Sequence, residues 1–361
     1  MDHACVIILN VKITRYSLTA IIVVVSFLGF LAFVTAFCLK ESIATSNNLA
    51  NFSTVDLGGV SPETGVNLIA STQPDNNRFV ETNDPFINQQ WALRNINIAD
   101  LWSRTTRTNE IVVAILDTGI DSNHEDLKDK IIAEINLTDS PTVNDLNGHG
   151  THIAGIICAT ADNGIGVAGI VAKCKIMNVK VADDDGFCNN QVVARGIIWA
   201  VDNGAKVLNI SIEITKTSLD LENAVNYAWE HGALIVSAAG NQGNSSAVYP
   251  AYYENSIAVA GVKPDNSLAP LSNFGDWVDV AAPGYNIYSS LPGNQYGYET
   301  GTSFAAAYVS GFVALLFNVV SDTNGNGYLN DDVRNAVEKS IRPMSNPGYS
   351  FGILDAKNLF D

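Results

Sequence analysis

The chain has 361 residues, 47% of them apolar, and a formal net charge of −17. That apolar content suffices to bury the core of a doubly wound domain of about 250–300 residues and excludes an intrinsically disordered chain. The acidic balance excludes nucleic acid and anionic lipid as charge-driven partners, since both need basic surface to displace counterions, and it suits bound divalent cations.

Residues 17–39 form a run of 23 residues without a charge, ending at Lys40. That is long enough to span a bilayer. Lys12 and Arg15 precede it, so the positive-inside bias leaves the N-terminus in the cytoplasm and exports the chain beyond Lys40. Small residues at Val34 and Ala36, or at Ser42 and Ala44, offer a signal-peptidase site, whereas the run exceeds the usual h-region of about 7–15 residues. A cleaved signal and an uncleaved anchor both stand; lipidation of Cys38 is disfavoured by the bulky Phe37 before it. The expected location is extracellular, periplasmic or on the cell-envelope side, secreted or tethered. Residues 40–82, rich in Asn, Ser, Thr and Gly, read as a flexible linker, and the folded domain is expected over 83–361.

From Asn83 onward short apolar strands alternate with amphipathic helices, the pattern of an α/β fold with a doubly wound, mostly parallel sheet and helices on both faces. Strands are expected at Ile111–Leu116, Lys175–Val181, Lys206–Ile212, Ala233–Ala239 and Ser256–Val262, nearly continuous in apolar character as buried parallel strands are. Helices are expected over Asn190–Asn203 and Ser218–His231, each ended by a glycine, Gly204 or Gly232. Ligand sites in such sheets gather at the carboxyl ends of strands.

Asp117 directly follows the first strand in AILDTGID, His149 lies in NGHGTHIAG at the start of an apolar helix, and Ser303 lies in ETGTSFAAAYVSG ahead of a helix of small residues. Each has a plain alternative: an aspartic-protease motif or an Asx turn for Asp117, a helix N-cap for Ser303, and a zinc pair for His149 with His152, for which no further ligand is placed. Taken together, Asp, His and Ser stand in the chain order known for the triad of subtilisin. Among the remaining cysteines, Cys158, Cys174 and Cys188 are too few and too scattered for a disulfide framework. Cys158 and Cys174 are the better candidates for one bridge, with buried free thiols as the alternative.

The blocks DTGID, GHGTHIAG and GTSFAAAYVSG resemble the three signature blocks of the subtilase family of serine peptidases, and the resemblance extends through SAAGNQG, YPAYYENSIAVAGV and SNFGDWVDVAAPGYNIYSS over nearly all of 83–361. It implies a serine endopeptidase with Asp117, His149 and Ser303 as the triad and Asn241 as an oxyanion donor beside the Ser303 N–H. It also implies an extended polypeptide substrate bordered by Ser211, Ile212 and Glu213 and a side-chain pocket walled by Ala238, Ala239 and Gly240, on a protein acting as a monomer. Three residues depart from the family pattern: Glu213 replaces a usual Gly, Phe304 a Met, and Ala307 a helix-bending Pro. Glu213 either favours a basic side chain before the scissile bond, or faces solvent or partly blocks the cleft. On the strength of these departures, the rival reading is a catalytically weak or inactive subtilase-like module that binds peptides.

The same resemblance implies structural calcium, held as in thermitase by Asp84, Asp126 and Asn163 with the carbonyls of Thr160, Ile165 and Val167, an all-oxygen set of the kind calcium takes. A second loop, SDTNGNGYLNDD, has Asp322, Asn324 and Asn326 in EF-hand-like spacing but Val333 at the twelfth position, so an Asn-Gly turn is the alternative. Only 44 residues separate Leu39 from Asp84, too few and too polar for the usual propeptide of about 70–80 residues with its own core. Folding without a full prodomain is therefore expected. A dinucleotide site is excluded, because no G-x-G-x-x-G turn follows the first strand.

Overall fold

In strand β1 (Ile111–Asp117), successive side chains point to opposite faces, as strand geometry requires. Val113 and Ile115 enter one apolar cluster while Ala114 and Leu116 enter another. The first cluster is completed by helices α1 (His149–Cys158) and α4 (Thr302–Leu316), the second by α2 (Asn190–Asp202) and α3 (Leu219–Glu230). The sheet is thus covered on both faces, the arrangement that lets nearly continuous apolar strands bury both sides. The computed structural model describes residues 82–105, 110–346 and 348–360. The apolar run 17–39, Cys38 and residues 40–81 of the linker expected over 40–82 lie outside the described residues. No described helix is long and apolar enough to cross a membrane.

Among the described residues the main sheet also holds β2 (Ile131–Asn136), β3 (Cys174–Lys180), β4 (Val207–Ile210), β5 (Leu234–Ala238), β6 (Ser256–Val262), β7 (Val280–Pro283), β10 (Ile341–Arg342) and β11 (Gly352–Leu354). Their spatial order is β10-β11-β7-β6-β5-β4-β1-β3-β2. Every pairing is parallel except that of β10 with β11. After β1 the chain runs to the edge at β2, returns to β3, and crosses β1 to begin β4. The connections change direction around β1, so the crevice at its carboxyl end is where a ligand site belongs.

The five expected strands and two expected helices all form, with ends shifted by a residue or two. Ser256–Val262 is reproduced without change, whereas the strand expected to reach Ile212 leaves the sheet after Ile210. Asn189 and Ser218 cap α2 and α3 through their side chains, accepting from Val192 and Leu221 N–H, and Gly204 and Gly232 take the left-handed conformation at the far ends. Helix α4 is buried along its whole length and continues through Ala307 without interruption; an all-round apolar helix is stable only inside. Its Gly311 lets it lie against Ile170, whose side chain would stand 2.8 Å from a Cβ there. Sequence reasoning did not anticipate β2, which alternates exposed and half-buried residues at the edge, nor the polar hairpin of β8 (Ile287–Leu291) and β9 (Gln295–Glu299).

Cys158 and Cys174 form a disulfide between the end of α1 and the start of β3, with Cα atoms 5.3 Å apart, and Cys188 is a partly buried free thiol. Closing a span of 16 residues restricts the unfolded chain and, in the loop-entropy model, stabilises the fold by ~3 kcal/mol. Of the alternatives open in the sequence, the bridge forms.

Candidate active site

The carboxylate of Asp117 sits at the carboxyl end of β1, 2% exposed. Its Oδ1 accepts a hydrogen bond from the Thr118 N–H (2.8 Å) and pairs with Nδ1 of His149 (2.8 Å). Thr118 is itself tied down: its hydroxyl donates to Asp145 Oδ1 (2.9 Å) and accepts from the Gly150 N–H (3.1 Å). Lys180, the register partner of Asp117 on β3 and fully buried, donates Nζ to the Thr118 carbonyl and pairs with Asp184 at 2.8 Å. The turn after β1 is therefore held from two sides, and the carboxylate cannot swing away.

His149 opens α1, and the start of that helix approaches the Asp117 turn so closely that a Cβ on Gly150 would stand 2.0 Å from the Gly119 carbonyl oxygen. The buried carboxylate of Asp145 accepts from the N–H groups of Gly148 and Thr151 and from the Thr151 hydroxyl. These are the donors a helix start leaves unpaired, and an anion is favoured at that end. Burial opposes charging of the His149 ring, but the Asp117 carboxylate and its hydrogen bond, with smaller help from Asp145 and Glu299, outweigh it and raise the His149 pKa above its usual 6.5.

Ser303 occupies the first turn of α4, where its N–H has no intrahelical acceptor. The hydroxyl of Ser303 is engaged by no group among the described residues. The preceding Thr302 donates both its N–H (2.9 Å) and its hydroxyl (3.0 Å) to Oδ1 of Asn241, and its hydroxyl also accepts the Gly240 N–H (3.1 Å). Because two donors meet that Asn241 atom, it must be the oxygen, which leaves the Nδ2 donors free beside the helix start. Ser303 N–H and Asn241 Nδ2 are thus two donors at the start of α4, the latter 3.7 Å from where a Cβ on Gly301 would stand.

Phe304, which the sequence marked only as a departure, packs its ring against both histidines, 5.5 Å from the His149 centroid and 4.6 Å from that of His152. It backs the ring of His149 while adding aromatic contact. Nε2 of the fully buried His152 contacts the Gly297 carbonyl at 3.2 Å; desolvation, only partly offset by that contact, lowers its pKa to about 3. It is a neutral structural residue. Among the described residues no group of three or more His, Cys, Asp or Glu gathers as a metal site, so the zinc reading of His149 with His152 gains no further ligand.

Beyond β4 and β5 the chain segments border the serine. Ser211 donates its hydroxyl to the Ser303 carbonyl at 3.2 Å, and Glu213 Oε2 accepts the Asn241 N–H at 3.3 Å. Ile212, Ala238 and Ala239, expected along the substrate path, turn their side chains into the core.

The predicted calcium residues also meet. Asp84 accepts the N–H groups of Asp162 (2.9 Å) and Asn163 (3.1 Å), while Asp126 accepts from Asn163 Nδ2, Val167 N–H and the Tyr296 hydroxyl. Burial raises the pKa of the fully buried Asp126 despite these bonds. The carbonyls of Thr160, Ile165 and Val167 accept no hydrogen bond from the described residues. Two buried carboxylates beside three unpartnered carbonyls, one of them on the fully buried Val167, fit a hard cation in donor chemistry. In the 322–332 loop, Asp322 accepts the Gly325 and Gly327 N–H groups, and Asp331 accepts from Asn324 and Asn326.

The model of the Subtilase family matches residues 108–353. The chain is 39% identical over 268 residues to thermitase of Thermoactinomyces vulgaris, covering 74% of this chain and 93% of that protein. It is also 39% identical over 272 residues to a thermophilic serine proteinase of Bacillus sp. (strain AK1), covering 74% of this chain and 66% of that one. Among solved structures it is similar to a protease from Pseudoalteromonas arctica PAMC 21717, with a TM-score of 0.68 and 29% identity, over 77% of this chain and 98% of that one. The chain belongs to the subtilase family, and is thereby a serine endopeptidase of the hydrolase class with the subtilisin-like α/β fold.

Proposed function

We propose that this subtilase cleaves peptide bonds in extended polypeptides through an acyl-enzyme on Ser303, with His149 as general base and Asp117 holding its tautomer. The observation that carries the reading is the 2.8 Å hydrogen bond between His149 Nδ1 and Asp117 Oδ1. A serine hydroxyl is a weak nucleophile until a base takes its proton; with Nδ1–H donated to Asp117, Nε2 is left unprotonated to do so. The proton then passes to the leaving amine, and water repeats the sequence to free the acid. Asn241 Nδ2 and the Ser303 N–H stabilise the oxyanion of each tetrahedral intermediate. Helix α4 runs unbroken through Ala307 and Phe304 buttresses the imidazole, so neither departure weighs toward a non-catalytic module. Labelling of the full chain by a fluorophosphonate, absent in Ser303→Ala, is the expected result; an unlabelled, folded wild-type chain would overturn the reading.

Because His149 must be neutral to act, kcat/KM is expected to fall as pH drops through a pKa above 6.5. Stability carries the opposite sign. The protonated ring paired with Asp117 adds stability that is fully present below about pH 6.5 and lost as pH rises through the raised value. Parallel pH profiles of kcat/KM and Tm test this, and an acid limb centred below 6.5 would contradict it.

Structural calcium belongs to the same reading, held by Asp84, Asp126, Asn163 and the carbonyls of Thr160, Ile165 and Val167. Binding to the folded state alone would neutralise buried negative charge and pin the 160–167 loop. Chelation is expected to lower Tm by ~5 °C or more, reversed by calcium but not by magnesium. A Tm indifferent to chelation would remove the ion. The exported location, with residues 17–39 as signal or anchor, and the action as a monomer complete the proposal. A protease product from a membrane fraction, solubilised only by detergent, distinguishes anchor from cleaved signal.

A further inference from the structure

The residue preceding a scissile bond has a definable place here. A carbonyl carbon in reach of Ser303, with its oxygen toward Asn241 Nδ2, would bring its side chain close to the segments at 211–213 and 240–241, which are bonded to Ser303, to Thr302 and to each other. Both segments are fastened. Ser211 is bonded to the Ser303 carbonyl, and Ile214 exchanges two backbone hydrogen bonds with Tyr249, at 3.1 and 2.8 Å. On the other side, Gly240 is bonded to Thr302. Glu213, between two anchored neighbours, reaches out so that its Oε2 accepts the Asn241 N–H at 3.3 Å and stands 3.2 Å from where a Cβ on Gly240 would be. It also lines a groove of ≈ 550 Å³ with Asn189, Gln191, Ile214 and Lys216.

The carboxylate is only lightly used. Its one hydrogen bond is long, Oε1 accepts none, and it enters no ion pair among the described residues. A half-buried anion with spare lone pairs, held beside Asn241, favours a cationic side chain with N–H donors. It penalises a neutral apolar side chain that must strip its water, and an acidic one more so. Resting on the peptidase reading above, we infer that Glu213 makes this site selective for substrates with Lys or Arg immediately before the scissile bond.

The test is a set of peptides identical except at that residue, cleaved by the full chain with active sites counted by fluorophosphonate labelling. The expected kcat/KM for Lys or Arg exceeds that for Leu or Phe by about tenfold or more. Glu213→Gln keeps the length and the acceptor for Asn241 N–H but removes the charge, and is expected to erase the preference, whereas Glu213→Asp keeps part of it. The preference is also expected to shrink as ionic strength rises to ~1 M. Labelled, active enzyme with no basic preference, or a preference unchanged in Glu213→Gln, overturns the role of Glu213 and leaves the peptidase reading standing. A Glu213→Gly variant that raises kcat/KM equally for all peptides shows an obstruction, and also overturns it. No labelling and no cleavage of any peptide removes both.

Discussion

Ser303→Ala is expected to lower kcat/KM by ~10⁶-fold while leaving Tm and the far-UV spectrum as they are; the magnitude is the one known for the corresponding loss in subtilisin itself. The reason lies in how the chain treats this hydroxyl. It is bonded to no described group, so its removal leaves no buried partner unsatisfied and costs the fold little. Everything needed for recognition and oxyanion binding stays in place, and a residual rate above the uncatalysed one should survive. The measurement is peptide hydrolysis with enzyme purified free of wild-type chain, beside thermal melts. If the variant retained as much as about one hundredth of the activity, Ser303 would not be the nucleophile.

Asn241 is the second large effect, and here two roles of one side chain must be separated. Its Oδ1 anchors the start of α4 by accepting from Thr302 N–H and hydroxyl, which leaves Nδ2 for the oxyanion. Asn241→Ala removes both functions and is expected to lower kcat by ~10²–10³-fold with little change in KM, the range already established for the equivalent donor in subtilisin. Asn241→Asp keeps acceptors for Thr302 but places a negative charge where the oxyanion forms. It is expected to be at least as slow as the Ala variant. Substantial rescue of kcat by Asp would assign Asn241 to helix anchoring, and a change confined to KM would place it in ground-state binding.

Glu213 and Phe304 show how the two levels of description differ. As departures from a family pattern, both were grounds for suspecting a damaged site. In the fold, Phe304 fills the space beside the His149 and His152 rings, a contact between residues far apart in sequence that no local spacing encodes. Thr302, Asp145 and Lys180 were not anticipated at all, because a threonine before a serine, an aspartate in a polar loop and a lysine ending a strand are common types in ordinary places. The one local signal was Asp145, an acidic residue shortly before a helix start. Its use as the hub for Thr118, Gly148 and Thr151 depends on the β1 turn and α1 meeting in space.

What the amino-acid sequence determined alone was the layered α/β plan and the membership of the subtilase family. Apolar periodicity sets which faces are buried, and the blocks that hold Asp117, His149, Ser303 and Asn241 carry the family resemblance through residue types close in sequence. Strand Ser256–Val262 and the helix ends at Gly204 and Gly232 were legible for the same reason: they depend on neighbours within a few residues. Long-range geometry was not legible. That Glu213 reaches Asn241, that Ile212 and Ala239 turn into the core, and that Thr160, Ile165 and Val167 leave carbonyls unpartnered beside two buried carboxylates were decided only when packing brought distant segments together. Burial and hydrogen-bond competition act between surfaces, and those surfaces exist only once the sheet has closed around β1.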